Sequence, residues 1–270
     1  MSNGLGTTFR DTVEEGTYRL HRSWPSLLAT GTVGGIDVSM GVLAMLLVMH
    51  GTGDRLLAAL AFSIGVISLS MARSELFTEN FRVPIAAVVA KNANVRSVLR
   101  LWGGTAVANV VGGGVMIAIV MFAFPESGEP AIDKGLVYVE RGLTAQAFAS
   151  AVIAGIVITL MTWMQHATSS VGGKLVAAVV AAFLLSYGHL SHVVVASLEV
   201  FAGILGGADF GYLDWLGMFG LWALGNAVGG IGLVTVLRLV QVGPRRVQHE
   251  RERTMEQTDE SMADVDADDD

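Results

Sequence analysis

Two short stretches set ionisable side chains inside long apolar runs. The first is SELFTENF, Ser74 to Phe81, with Arg73 before it and Arg82 after it. With Glu75 and Glu79, it puts four ionisable residues within ten positions. The second is SYGHLSH, Ser186 to His192, which carries His189 and His192. A histidine titrates near neutrality, so in apolar surroundings it can lend a proton or a transient positive charge. A carboxylate in such surroundings must be paired, used as a cap, or turned to a water-filled path. That is the chemistry of a route through a barrier. It is not the chemistry of an enzyme: His189 with Ser186 or Ser191 matches a nucleophile arrangement poorly, and neither G-x-S-x-G nor H-E-x-x-H occurs. The absence of cysteine excludes disulfides, thiolate chemistry and cysteine metal sites. We expect no cofactor, no metal site and no nucleic-acid partner.

The elements that hold these groups are built for lipid. Hydrophobic residues make up 52% of the 270, and charged residues only 15%, against about 25% in an ordinary soluble domain. The 33 glycines fall mostly within apolar runs, where they allow helices to approach closely. The net charge of −7 owes much to the run DVDADDD at Asp264 to Asp270, which reads as a solvated end. The first 26 residues have no apolar signal-peptide core. TTFRDTVEEGTYRLHRSW reads as an amphipathic helix on the membrane surface, with a plain soluble arm as the alternative.

A spanning helix needs about 20 apolar residues. Six stretches qualify, near 27–50, 56–90, 101–124, 145–165, 173–205 and 213–241. The second and fifth are long enough to be two half-helices with a break between them, and the breaks fall on the two polar stretches. With the N-terminus inside, the inner segments hold twelve Lys and Arg: Arg10, Arg19 and Arg22; Lys91, Arg96 and Arg100; Lys174; and Arg238, Arg245, Arg246, Arg251 and Arg253. The outer loops hold three: Arg55, Lys134 and Arg141. That bias predicts six spans in a cell membrane with both ends cytoplasmic. The expected divisions are a surface segment over 1–26, a channel domain over 27–241 and an acidic tail over 242–270.

The third span contains NVVGG, Asn109 to Gly113, and the sixth NAVGG, Asn226 to Gly230; Trp102 and Trp222 precede them. Each motif follows a broken span. The chain therefore reads as two halves of three spans. Three is odd, so the second half enters from the opposite side, giving an inverted repeat. Unwound backbone at membrane depth is tolerated only where it lines a cavity or is buried in protein, and paired breaks point to a transport site. The half-helix N-termini facing the breaks favour an anion there.

Within this frame Glu75 and Glu79 have two readings: contact with a permeating species, or holding the break by pairing with Arg73 or Arg82 or by capping the following half-helix. We take the structural reading, because an exposed glutamate repels an anion. Leu76 and Phe77 are core or an apolar gate. His189 and His192 are pore groups or hydrogen-bonded packing residues. Asp37 pairs with Arg73 or marks a pathway. Asn109 and Asn226 are expected to bond unwound backbone or a neighbouring helix.

SELFTENF in a broken second span resembles the signature loop of the formate/nitrite transporter family. SYGHLSH resembles that family's second break, LGNAVGG its sixth helix, and TWM at Thr162 to Met164 the end of its fourth. The resemblance covers about residues 15–245, and the opening EEGTYRLHRSWPSLLATGTVGGIDVSMG is most similar to a divergent branch. It implies an all-α, aquaporin-like protomer, a homopentamer, and passage of small monovalent anions such as formate, nitrite or hydrosulfide. Carried over by position, Phe77 belongs to the inner apolar constriction, His189 is the central pore histidine, and Leu76 and Thr78 form the loop beside it. Three positions depart from the pattern. Gly188 stands where an acidic residue is usual, Val193 where an asparagine is usual, and Gly155 where the fourth span has a pore-facing asparagine. His192 is therefore a second candidate. The expected function is an anion channel, with a pore for water, ammonia or another neutral solute as the alternative. A membrane partner acting through its tails is the third class.

Overall fold

The computed structural model describes residues 13–81, 83–89 and 94–243, together with Gln248 and Glu252. Arg82, Lys91 and the acidic run Asp264 to Asp270 lie outside the described residues. All regular structure among the described residues is helical.

The first half begins with α1, over 13–21, and α2, Trp24–Thr52, which has Pro25 in its first turn. Pro is tolerated there because that N–H has no helical acceptor. Gly53 ends α2 with φ +65, donating its N–H to the Met49 carbonyl. Asp54 then caps α3, Arg55–Ala61, accepting from the Leu56 and Leu57 N–H groups. After Phe62, α4, Ser63–Ala72, runs to Arg73, which sits in the left-handed region at φ 55. The chain breaks and makes a 3-10 turn over Phe77–Phe81; α5 covers Val83–Val89. The long α6, Val95–Ala123, is capped by Asn94.

The second half repeats this plan. A short amphipathic helix, α7, Gly128–Arg141, precedes α8, Ala145–His166. Next comes α9, Val171–Tyr187, then a break, then α10, Val193–Leu205. The last run is helical over 212–242: α11, Tyr212–Ala227, a π-helical segment over Val228–Thr235, and α12, Val236–Val242.

Among the described residues, Trp24–Thr52, Arg55–Ala72, Val95–Ala123 and Ala145–His166 are long and apolar enough to cross a membrane. The helices α9 and α10 are shorter apolar helices on either side of a break. Outward faces are apolar where a soluble protein would be polar: Val107, Val111, Val115 and Phe122 of α6 are exposed. The protein is therefore a multi-pass, all-helical membrane protein.

Inside, helices touch backbone to backbone. The Gly35 Cα lies where an added Cβ would strike the Asn109 carbonyl, and Gly155 stands in the same relation to Asn226. Gly112 lies against Thr32, and Gly229 against the Val152 carbonyl. The α2–α6 pair and the pair of α8 with α11 and its π segment thus meet through matching positions. The halves also interlock: Gly113 receives the Leu198 side chain of α10, and Gly230 receives the Phe81 ring of the first break. The halves differ in their last helices: α6 is a regular α-helix, whereas its counterpart carries a π-helical segment over Val228–Thr235.

Candidate functional site

Asn109 holds the first break. Its Nδ2 donates to the Gly31 carbonyl of α2 at 2.7 Å and to the Glu75 carbonyl at 2.9 Å. Its Oδ1 accepts from the Phe77 N–H at 2.8 Å. Asn226 does the same for the second break. It donates to the Ala151 carbonyl at 2.8 Å and the Ser191 carbonyl at 3.0 Å, and accepts from the Val193 N–H at 2.9 Å. A carboxamide is the side chain that can give two hydrogen bonds and accept another in one plane. Both asparagines are fully buried, so each satisfies unwound backbone that water cannot reach.

The breaks meet at one polar contact. Thr78 Oγ1 lies 2.6 Å from His192 Nε2, and both residues are buried. His192 is also the N-cap of α10: its Nδ1 accepts the Val195 N–H at 3.3 Å. A ring nitrogen that accepts carries no hydrogen, so the neutral ring has its hydrogen on Nε2 and donates it to Thr78. Apolar side chains stand next to Thr78 in the chain. Leu76 is buried, and Phe77 packs edge-on against Phe81 and Trp102.

Two cavities lie towards opposite ends of α2, one lined by residues of the first break and the other by residues of the second. The proximal cavity, about 600 Å³, is lined by Ser26 and Thr30 of α2 and by Glu15, Arg19, Arg22, Arg73, Glu75, Glu79 and Lys174. The distal cavity, about 270 Å³, is lined by Met45, Leu46 and Met49 of α2 and by Arg55, Lys134 and His189. Thr30 and Met45 are separated by roughly 22 Å of helical rise.

On the proximal side α1 is tied to the break. Glu75 accepts from Arg22 at 2.6 Å and lies 3.3 Å from Arg19. Arg19 also donates to Glu15 at 2.8 Å and to Asn80 Oδ1 at 3.1 Å. Burial alone would raise the Glu15 carboxyl, but Arg19, with help from His166 and Arg22, outweighs it and holds Glu15 below its ordinary value. Burial likewise works against Arg19, and Glu75, Glu15 and Glu79 overcome it and hold it above its ordinary value. Glu79 turns back to accept the Leu76 N–H at 3.1 Å, and Trp102 Nε1 donates to the Asn80 carbonyl at 2.8 Å.

On the distal side His189 takes a positive φ of 45. Arg55 Nη2 lies 2.6 Å from His189 Nε2, and Arg141 donates to the His189 carbonyl. The two histidines of the motif therefore part company: His192 sits between the breaks beside Thr78, and His189 lines the distal cavity. Glu75 pairs with Arg19 and Arg22, about 55 residues upstream in sequence, while Arg73 is exposed at the proximal cavity. Asp37 accepts from Ser68 and Ser74. Sequence reasoning assigns no site role to Lys134, Tyr138 or Glu199. Glu199 is a fully buried carboxylate on α10, bonded by the Tyr138 hydroxyl and 3.8 Å from the Lys134 ammonium. The signal for it was a lone glutamate in the apolar run VVVASLEVFAG.

Known proteins share this architecture. A solved structure described as an FNT family ion channel superposes with a TM-score of 0.76, covering 88% of this chain and 99% of that one at 15% identity. A pentameric formate channel with formate bound gives 0.68, over 80% and 96%, at 20% identity. In sequence, the chain is 29% identical to inner membrane protein YfdC of Escherichia coli (strain K12), covering 85% of this chain and 76% of that protein. It is 24% identical to the formate channel BtFdhC of Bacillus thuringiensis, over 82% and 89%. The model of the formate/nitrite transporter family matches residues 6–240. Matched over nearly its whole length, the chain belongs to the formate/nitrite transporter family.

Proposed function

We propose that this chain is a channel for small monovalent anions of the formate, nitrite or hydrosulfide kind, and that the anion passes between the two cavities at the contact of Thr78 with His192. The observation that carries this reading is that contact: a buried polar pair joins the two breaks, and each break also lines a cavity that holds cations. Arg55 and Lys134 draw an anion into one mouth, and Arg73 and Lys174 into the other. Shedding water at the Leu76 and Phe77 constriction is costly for a bare charge. The Nε2–H of His192 can leave Thr78 and bond the anion, and the N-terminus of α10 adds a favourable dipole. Lending a whole proton would require Nδ1 to gain one first, at the expense of the cap.

In this reading His192 is the pore histidine and His189 belongs to the distal mouth. Both termini are cytoplasmic, so the distal cavity opens outward. Five copies assemble, as in the pentameric relative. The surface segment, channel domain and acidic tail divide near residues 26 and 241. The test is anion flux into proteoliposomes. His192→Ala abolishes or deregulates flux, whereas His192→Asn, which keeps an N–H donor, retains a measurable part of it. Equal flux in the wild type and His192→Ala would reject the assignment. The neutrality of the Thr78–His192 contact favours one rival, a pore for water or ammonia. Stopped-flow swelling without any anion current would establish it instead.

A further inference from the structure

We infer that Glu199 is a positioning residue for anion entry: it keeps the Lys134 ammonium charged and fixed at the wall of the distal cavity. The inference rests on the channel reading above. Three observations carry it. Lys134 Nζ is fixed from two sides, donating to the Ser186 carbonyl at 2.8 Å and lying 3.8 Å from Glu199 Oε1. Glu199 is itself held by the Tyr138 hydroxyl, and its Oε1 has no hydrogen-bond partner in the structure. The arrangement also repeats the proximal side, where α1 and the residue after it send Arg19 and Arg22 to the buried Glu75 of the first broken span. Here α7 sends Lys134 to a buried glutamate of the second. In both halves the helix before the first span delivers cations to a carboxylate in the broken span.

The groups facing Lys134 decide what Glu199 does. Arg55 of α3 and Arg141 of α7 are cations that cannot shed their protons, and His189 lies beside them. Asp133 lines the same cavity but is exposed. Lys134 is the cation of this group able to become neutral. Burial pushes its amine below the ordinary value, Arg55 and Arg141 push the same way, and Glu199 is the opposing charge. Without Glu199, a buried ammonium among other cations gives up its proton. The mouth then keeps its shape and loses a charge-assisted donor for the arriving anion.

The experiment is formate uptake through the distal mouth in oriented proteoliposomes, comparing wild type, Lys134→Met, Glu199→Gln and Glu199→Gln/Lys134→Arg. At about pH 8, Lys134→Met and Glu199→Gln each raise the half-saturating formate concentration about tenfold, with the maximal rate changed far less. At about pH 5.5 the amine of Glu199→Gln is protonated again, so its half-saturation relative to wild type at the same pH returns towards one, while Lys134→Met stays impaired. Glu199→Gln/Lys134→Arg gives the same half-saturation relative to wild type at both pH values, because a guanidinium keeps its proton and any defect it has does not vary with pH. The inference is overturned if Glu199→Gln behaves as wild type at about pH 8, or if its defect persists undiminished at about pH 5.5. Should Glu199→Gln fail to insert, Glu199→Asp carries the test. Half-saturation within about threefold of wild type supports the role of the charge, and a defect equal to Lys134→Met refutes it. A wild type that moves no anion would instead refute the channel reading, so the two failures are distinguishable.

Discussion

Replacing Asn109 with alanine tests whether one carboxamide holds the first break. The change removes two donated bonds and one accepted bond. The Gly31 carbonyl lies within α2 and keeps its helical partner, so its loss matters little. The Phe77 N–H and the Glu75 carbonyl are in unwound, buried chain and have no such substitute. A buried backbone group left unpaired costs about 1–3 kcal/mol, so the two together cost roughly 2–6 kcal/mol. For a chain of this size that lowers the unfolding temperature by on the order of 10 °C. The repeat predicts a loss of the same order for Asn226→Ala, which orphans the Val193 N–H and the Ser191 carbonyl. Thermal unfolding of detergent-purified protein, followed by size-exclusion elution, reads both. A shift below about 2 °C in either variant, with flux intact, would show that the carboxamides do not hold the breaks.

Gly35→Ala and Gly155→Ala each push a methyl into an asparagine carbonyl, so both should fail to reach the membrane as folded protein, as immunoblots of membrane fractions would show. Thr78→Val keeps the shape but removes the acceptor of the His192 Nε2–H; we expect a loss of about 1–3 kcal/mol in stability together with a lower half-saturating anion concentration, read by melting and flux. Glu15 is held below its ordinary value of 4.5. Its contribution to docking α1 is therefore complete above 4.5 and is lost as pH falls through the lower folded value, which hydrogen exchange of 13–21 across a pH series will detect.

Much of this was legible because membrane depth makes polarity conspicuous. SELFTENF and SYGHLSH stand out against apolar neighbours, and N-x-V-G-G marks the same structural position twice. The meaning of that motif lies in its parts: the asparagine staples, and the glycine three residues later lets the opposite helix approach. What could not be read was partnership. Glu75 had Arg73 beside it in sequence, yet its partners come from α1, because the left-handed turn at Arg73 leaves that side chain exposed. H-L-S-H offers two histidines three apart, and only the capping of α10 separates their positions. Glu199 and Lys134 lie 65 residues apart in sequence and meet because α7 packs against α10. The π-helical segment near Gly230 left no trace in the pattern, since its counterpart sequence in α6 forms an ordinary helix.

The asparagine staples carry one more consequence. The same three bonds are made twice, once in each half, each asparagine tying a helix carbonyl to both sides of its break. The staples themselves therefore give neither break a support that the other lacks. The breaks differ instead in the side chains beside them, Arg55, Lys134 and His189 at one cavity against Arg73, Lys174, Arg19 and Arg22 at the other. Exchanging those residues, and leaving the asparagines alone, is the way to ask whether either mouth sets a preferred direction of flow.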